Sequence, residues 1–147
     1  MRLNSLFFKK KKLVIIFDMD NTLSDEFGSS LRPGILELLT ELESKNHVLK
    51  IWTSSTKIRA LDILKSNKIY DFFEEFRFRE DYDPKNLGLR KDIRKISGDA
   101  LIDDDPEEIK FTNSIGLKGI LVSPYRKNIP SKESDLIKIR NEINKLE

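Results

Sequence analysis

The sequence contains no cysteine and one histidine, His47. The first absence excludes disulfides, a thiol nucleophile and a thiolate zinc site. A lone histidine also argues against an imidazole metal site or a Ser-His-Asp triad. Glycine and proline number only six and five in 147 residues, too few for a collagenous or low-complexity tract. No apolar run is long enough to cross a bilayer. Leu3 to Phe8 is too short and too polar for the core of a signal peptide, and the lysines follow it instead of preceding it. These absences lead us to expect a cytoplasmic protein without a membrane partner, and the length suits one ordinary domain.

Charge is plentiful but unevenly placed. Net charge is +2, yet Arg2 and Lys9 to Lys12 hold five positive charges in a segment without acids, leaving 22 basic groups against 25 acids from Leu13 onward. Residues 1–12 therefore read as a basic, solvated lead-in, with nucleic acid or an acidic partner as the sharper alternative. The folded domain is expected over 13–147. Tyr70-Asp71-Phe72-Phe73 is read as core packing at the sheet edge in preference to a stacking platform for bases, since no basic run flanks it.

The organising stretch is Leu13 to Leu23, an apolar run that stops at two aspartates, Asp18 and Asp20. Leu13 to Phe17 has the length and residue types of one buried strand, so Asp18 falls at a strand's C-terminal end, where ligands bind in open α/β sheets. A calcium loop would need Gly where Leu23 stands and a bidentate Glu where Ser29 stands. Further along, a helix opens at Pro33-Gly34 and runs to about Ser44. A strand over Val48 to Trp52 closes on Thr53-Ser54-Ser55. Thr56 is placed to cap a helix whose expected core face is Ile58, Leu61, Ile63 and Leu64. A short third strand is expected at Phe76 to Arg79, a polar loop at Glu80 to Gly88 and a short helix at Leu89 to Ile96. A strand over Ala100 to Ile102 runs into Asp103-Asp104-Asp105. Pro106 starts a helix with Asp105 as its cap. A fifth strand, Ile120 to Val122, and a helix from about Lys132 to Leu146 complete the chain. Repeated β-α units imply a single Rossmann-like α/β domain with a five-stranded, mainly parallel sheet and helices on both faces.

Three strands thus end in groups suited to phosphate chemistry: Asp18 and Asp20, Thr53 and Ser54, and Asp103 to Asp105. Carboxylates gathered at one sheet edge repel each other unless a cation sits among them, and oxygen-only ligands point to Mg²⁺.

These residues resemble the motifs of the haloacid dehalogenase superfamily: Asp18-x-Asp20-x-Thr-Leu after an apolar strand, Thr53 in Ile-Trp-Thr-Ser-Ser, and Leu-Ile-Asp103-Asp104. For the basic motif, Arg79-Glu80 followed by Lys85-Asn86-Leu87 and Asp92 is similar to the pattern of NLI-interacting-factor-like, C-terminal-domain phosphatases. Arg90-Lys91-Asp92 instead resembles polynucleotide kinase-phosphatases. Lys85 is the expected lysine and Lys91 the alternative. The resemblance implies a phosphomonoester hydrolase in which Asp18 is the nucleophile, Asp20 the general acid and base, and Thr53 and Lys85 hold the phosphoryl group. The backbone around Met19 and Asn21, together with Ser54, would also hold it, and Mg²⁺ would be bound by Asp18, the Asp20 carbonyl, Asp103 and Asp104.

In this superfamily a cap domain enters between these motifs. Here the intervals from Asp18 to Thr53 and from Thr53 to Lys85 are already used by helices, strands and their loops, so no cap is expected and the site should be open. An open site suits a phosphorylated macromolecule, a protein or a nucleic-acid end. A nucleotide or polynucleotide phosphatase is the second enzyme reading. A phospho-switch module like a receiver domain is the non-enzymatic one, and it has no use for an acid two residues after its phosphorylated aspartate.

Overall fold

The computed structural model describes residues 10–147; Arg2, Leu3 to Phe8 and Lys9 lie outside the described residues. Five strands, β1 (Val14–Phe17), β2 (Val48–Trp52), β3 (Glu75–Arg77), β4 (Ala100–Asp103) and β5 (Lys118–Leu121), form one sheet in the order β3-β2-β1-β4-β5. All four pairings are parallel. The central strand is the one that ends at Asp18. Its neighbours are in register with it, Phe17 beside Ile51 and Ile102, so the three polar clusters emerge together at the sheet's C-terminal edge.

Side-chain alternation assigns the two faces. Ile15, Phe17, Leu49, Ile51, Ala100 and Ile102 point to one side. There they pack against α1 (Ile35–Ser44), α2 (Lys57–Ser66) and α5 (Glu133–Leu146). Ile16, Trp52 and Leu101 point to the other, against Ile109 of α4 (Pro106–Ser114) and a 3-10 turn, Ile93–Ile96. The core strands carry apolar residues on both faces because both are covered, which is why β1 and β4 read as continuous apolar runs and β2 is interrupted only by Lys50. A four-residue helix, α3 (Arg79–Tyr82), occupies part of the segment expected to be a polar loop. A further 3-10 turn spans Tyr70–Phe72, and its Tyr70 and Phe72 pack against the core, as the packing reading required.

Two local expectations are corrected. Ile58 is 84% exposed and is no part of the core face of α2, which is Ala60, Ile63 and Leu64. It lies two residues from Ala60, about 200° round the helix. Thr56 occupies the N-cap position but its side chain makes no capping hydrogen bond; the Glu80 carboxylate accepts from Lys57 N instead, at 3.0 Å. Asp105 does cap α4, accepting from Glu107 N at 2.9 Å, with Pro106 in the first turn.

No described segment forms a cap. The residues between Asp18 and Thr53 are taken up by a loop, α1 and β2, and those after Thr53 by α2, β3 and α3.

Candidate active site

At the C-terminal edge of β1, β2 and β4 lies a crevice of about 520 Å³, lined by Asp18, Asp20, Asn21, Ser54, Lys91 and Asp104 among others. Asp18 begins where β1 ends. Its amide donates to the Ile102 carbonyl at 3.0 Å, so the sheet itself holds the residue, which is 6% exposed. Both carboxylate oxygens are oriented: Oδ2 accepts from Thr22 Oγ1 at 2.9 Å and Oδ1 from Lys91 Nζ at 2.9 Å.

Lys91 reaches across to β4 as well, donating to Asp103 Oδ2 at 2.8 Å. The other Asp103 oxygen accepts from Asp105 N at 3.0 Å, which ties the end of β4 into the cap of α4. Asp104 stands beside Asp18, its Oδ1 3.3 Å from Thr22 Oγ1. Asp18, Asp103 and Asp104 each present an oxygen within 4.8 Å of the other two.

The electrostatics follow from burying three acids with one base. Burial pushes the Asp18 carboxyl up to about 6, with Lys91 opposing and Asp104 adding to the rise. Burial likewise raises Asp103 to about 6, with the charge of Asp18 adding and Lys91 opposing. Asp104 is also raised, chiefly by burial. Burial disfavours the Lys91 ammonium, but Asp103 and Asp18 outweigh it and hold the lysine well above its ordinary range. One buried ammonium leaves the cluster short of positive charge, and hard oxygen donors at this spacing fit a divalent cation.

The loop after Asp18 is anchored from behind. Arg32, 2% exposed, donates Nε to the Thr22 carbonyl at 2.7 Å and Nη2 to those of Asn21 and Ser123 at 2.9 and 2.6 Å. Its Nη1 meets Asp135 of α5 at 3.2 Å. Asn21 takes a left-handed conformation, φ 65°, which asparagine tolerates. Its Oδ1 is buried without a hydrogen-bond partner. The Met19 side chain is fully buried in the core, so only its backbone can serve a ligand. Across the crevice, Ser54 is exposed on the wall. Thr53 is 1% exposed behind it and does not itself line the crevice; its Oγ1 accepts from Ser55 N at 3.0 Å.

The family model of NLI interacting factor-like phosphatases matches residues 8–147. The chain belongs to this family. A search of the curated proteins finds no match. Among solved structures, a hydrolase from Streptococcus pneumoniae TIGR4 superposes with a TM-score of 0.65 at 14% identity, covering 91% of this chain and 99% of the other. A HAD-superfamily hydrolase from Ehrlichia chaffeensis gives 0.62 at 16%, covering 95% and 99%. The YfnB protein of Bacillus subtilis, bound to magnesium, gives 0.64 at 16%, covering 89% and 100%. The fold of this NLI interacting factor-like phosphatase is thus that of the haloacid dehalogenase superfamily.

One expected placement differs from the structure. Lys85 is not in the site: it is exposed on the loop after α3 and does not line the crevice. That loop is wound around Asp83, whose carboxylate accepts from the amides of Leu87, Gly88 and Leu89 at 2.8, 2.9 and 3.2 Å. The winding carries Lys85 outward and delivers Lys91 to Asp18. The Asp20 carboxylate lines the crevice but stands apart from the acid cluster, paired with Arg59 at 2.8 Å. Arg32 and Arg59, which shape the site, had no part in the sequence reading, and Thr22 entered it only as the threonine of the first motif.

Proposed function

We propose that this phosphatase is a Mg²⁺-dependent phosphomonoester hydrolase that works through an aspartyl phosphate on Asp18. The observation that carries the reading is the Asp18 carboxylate itself, rigid at the end of β1, gripped on both oxygens and faced by Lys91, Asp103 and Asp104. A nucleophile so held needs no reorganisation before attack.

Asp18 attacks phosphorus and the leaving oxygen departs, protonated by Asp20 where it is a poor leaving group. Water then cleaves the aspartyl phosphate with Asp20 as base. Lys91, not Lys85, is the lysine that offsets phosphoryl charge, because it is the buried cation within reach of Asp18. The Ser54 hydroxyl and the backbone around Met19 and Asn21 complete the phosphate cradle, with Thr53 behind Ser54 bracing the end of β2. Asp18, Asp103 and Asp104, with the Asp20 carbonyl, would hold Mg²⁺, which supplies charge neutralisation when bound. The magnesium in the YfnB structure is in keeping with that choice.

The substrate we propose is a phosphate carried on a macromolecule, since no described segment caps the crevice to enclose a small metabolite. A protein suits it better than a nucleic-acid end, because the crevice lining is acidic on balance, with Arg90 and Lys91 set against seven acids and Arg90 already paired with Glu108, and would repel the next phosphate of a polyanion. Phosphopeptides, 3′- and 5′-phosphorylated oligonucleotides, nucleotides and sugar phosphates assayed with Mg²⁺ test both claims. The expected order puts the best phosphopeptide at least about tenfold above the best metabolite in kcat/KM. A metabolite that matches it removes the macromolecular reading.

A further inference from the structure

Asp20 is held by a residue outside all of the motifs. From the first turn of α2, Arg59 donates Nη1 to Asp20 Oδ2 at 2.9 Å and Nη2 to Asp20 Oδ1 at 2.8 Å. The guanidinium is itself fixed, since Nη1 also donates to Ser55 Oγ at 3.0 Å and Nη2 to the Glu26 carbonyl at 3.2 Å. A two-pronged contact of this kind sets the plane of a carboxylate as well as its position.

The pair has little to offer as a structural strut. The Arg59 and Asp20 side chains are 42% and 26% exposed, and an ion pair so open to water contributes at most about 1 kcal/mol to stability. Its geometric effect is larger. Asp20 lies on the loop after β1, where an unpaired aspartate would move among its staggered rotamers. Arg59 selects one, with Asp20 still lining the crevice.

We propose that Arg59 is a positioning residue for proton transfer: it holds the Asp20 carboxylate in the orientation that activates water in the second half-reaction. The proposal rests on the reading of Asp18 as the phosphorylated nucleophile. In that step the water oxygen bonds to phosphorus, and the bond from phosphorus to the Asp18 oxygen breaks. The electron pair returns to the Asp18 carboxylate, one water proton passes to Asp20, and inorganic phosphate departs. An aryl phosphate isolates the effect, because its phenolate leaves without a proton and the first half-reaction does not call on Asp20.

The test is rapid-quench and steady-state kinetics on 4-nitrophenyl phosphate with Mg²⁺, comparing wild type, Arg59→Met and Arg59→Lys, with thermal melts of each. For Arg59→Met we expect a burst of nitrophenolate approaching the enzyme concentration, then a kcat lower by at least about tenfold. KM should fall with kcat, leaving kcat/KM nearly unchanged, and Arg59→Lys should lie between the two. A merely structural defect would lower kcat/KM and give no burst. That result, or a kcat for Arg59→Met within about twofold of wild type, overturns the role of Arg59. Failure of the underlying reading looks different: Asp18→Asn would turn over as fast as wild type, and both assignments would fall together.

Discussion

Replacing Lys91 by Met keeps the bulk of the side chain and removes its charge. Lys91 is 4% exposed and gives Nζ to Asp18 and Asp103 at 2.9 and 2.8 Å. Without it, two buried carboxylates face each other with no counter-charge, and breaking a buried ion pair in this way costs about 3–5 kcal/mol. Part of that is recovered by proton uptake, since both acids already titrate near 6 and would rise further. Near pH 7 the metal-free variant should therefore lose about 3 kcal/mol, and Mg²⁺ should restore part of it. Activity should fall by at least about a thousandfold, because the variant loses a charge on the phosphoryl oxygens and leaves Asp18 partly protonated. Lys85→Ala is the control. Its side chain is exposed and outside the crevice, so stability should stay within about 0.5 kcal/mol and kcat/KM within about twofold. Denaturant melts and turnover of 4-nitrophenyl phosphate measure both. An inactive Lys85→Ala beside an active Lys91→Met would refute the reasoning.

Two further outcomes follow from the acid cluster. Asp104→Ala should raise the Mg²⁺ concentration needed for half-maximal activity far more than Asp105→Ala, which removes a helix cap and should cost about 1 kcal/mol of stability; titrating activity against Mg²⁺ for both variants checks the order. The second concerns pH. With Asp18 and Asp103 raised from 3.8 to about 6, the folded metal-free protein binds more protons than the unfolded chain between about pH 4 and 6, so these groups make stability fall as pH rises through that window. Mg²⁺ should therefore raise Tm more at pH 7.5 than at pH 5, and melts showing the reverse would contradict the cluster's assignment.

Much of this architecture was legible in the sequence because three strands are buried on both faces. Val14 to Phe17 and Ala100 to Ile102 are short apolar runs that end in polar residues, and Val48 to Trp52 is a third broken only by Lys50, so their C-terminal edge, and Asp18, Asp103 and Asp104 with it, could be placed from pattern alone. The lysine could not. Lys85-Asn86-Leu87 fits the basic motif by residue type, and only the loop wound on Asp83 shows that it points outward. The signal that favours the alternative is Lys91-Asp92-Ile93, where an acid follows the lysine in place of Asn86 and the chain leads through buried Ile93 and Ile96 into β4. Arg59 carried no local signal. Its partner is 39 positions away, and contacts of that range are set by how α2 packs on the sheet, which no periodicity reports.

The central claim is that Asp18 becomes phosphorylated, and reductive trapping tests it most directly. The enzyme would be quenched with borohydride during turnover of 4-nitrophenyl phosphate, digested and analysed by mass spectrometry. An acyl phosphate is reduced to an alcohol, so the account predicts homoserine at position 18 in a substrate-dependent yield, with Asp20, Asp103 and Asp104 unmodified and higher yield in Arg59→Met. Turnover that leaves residue 18 as unmodified aspartate, or reduction at another acid, would contradict it.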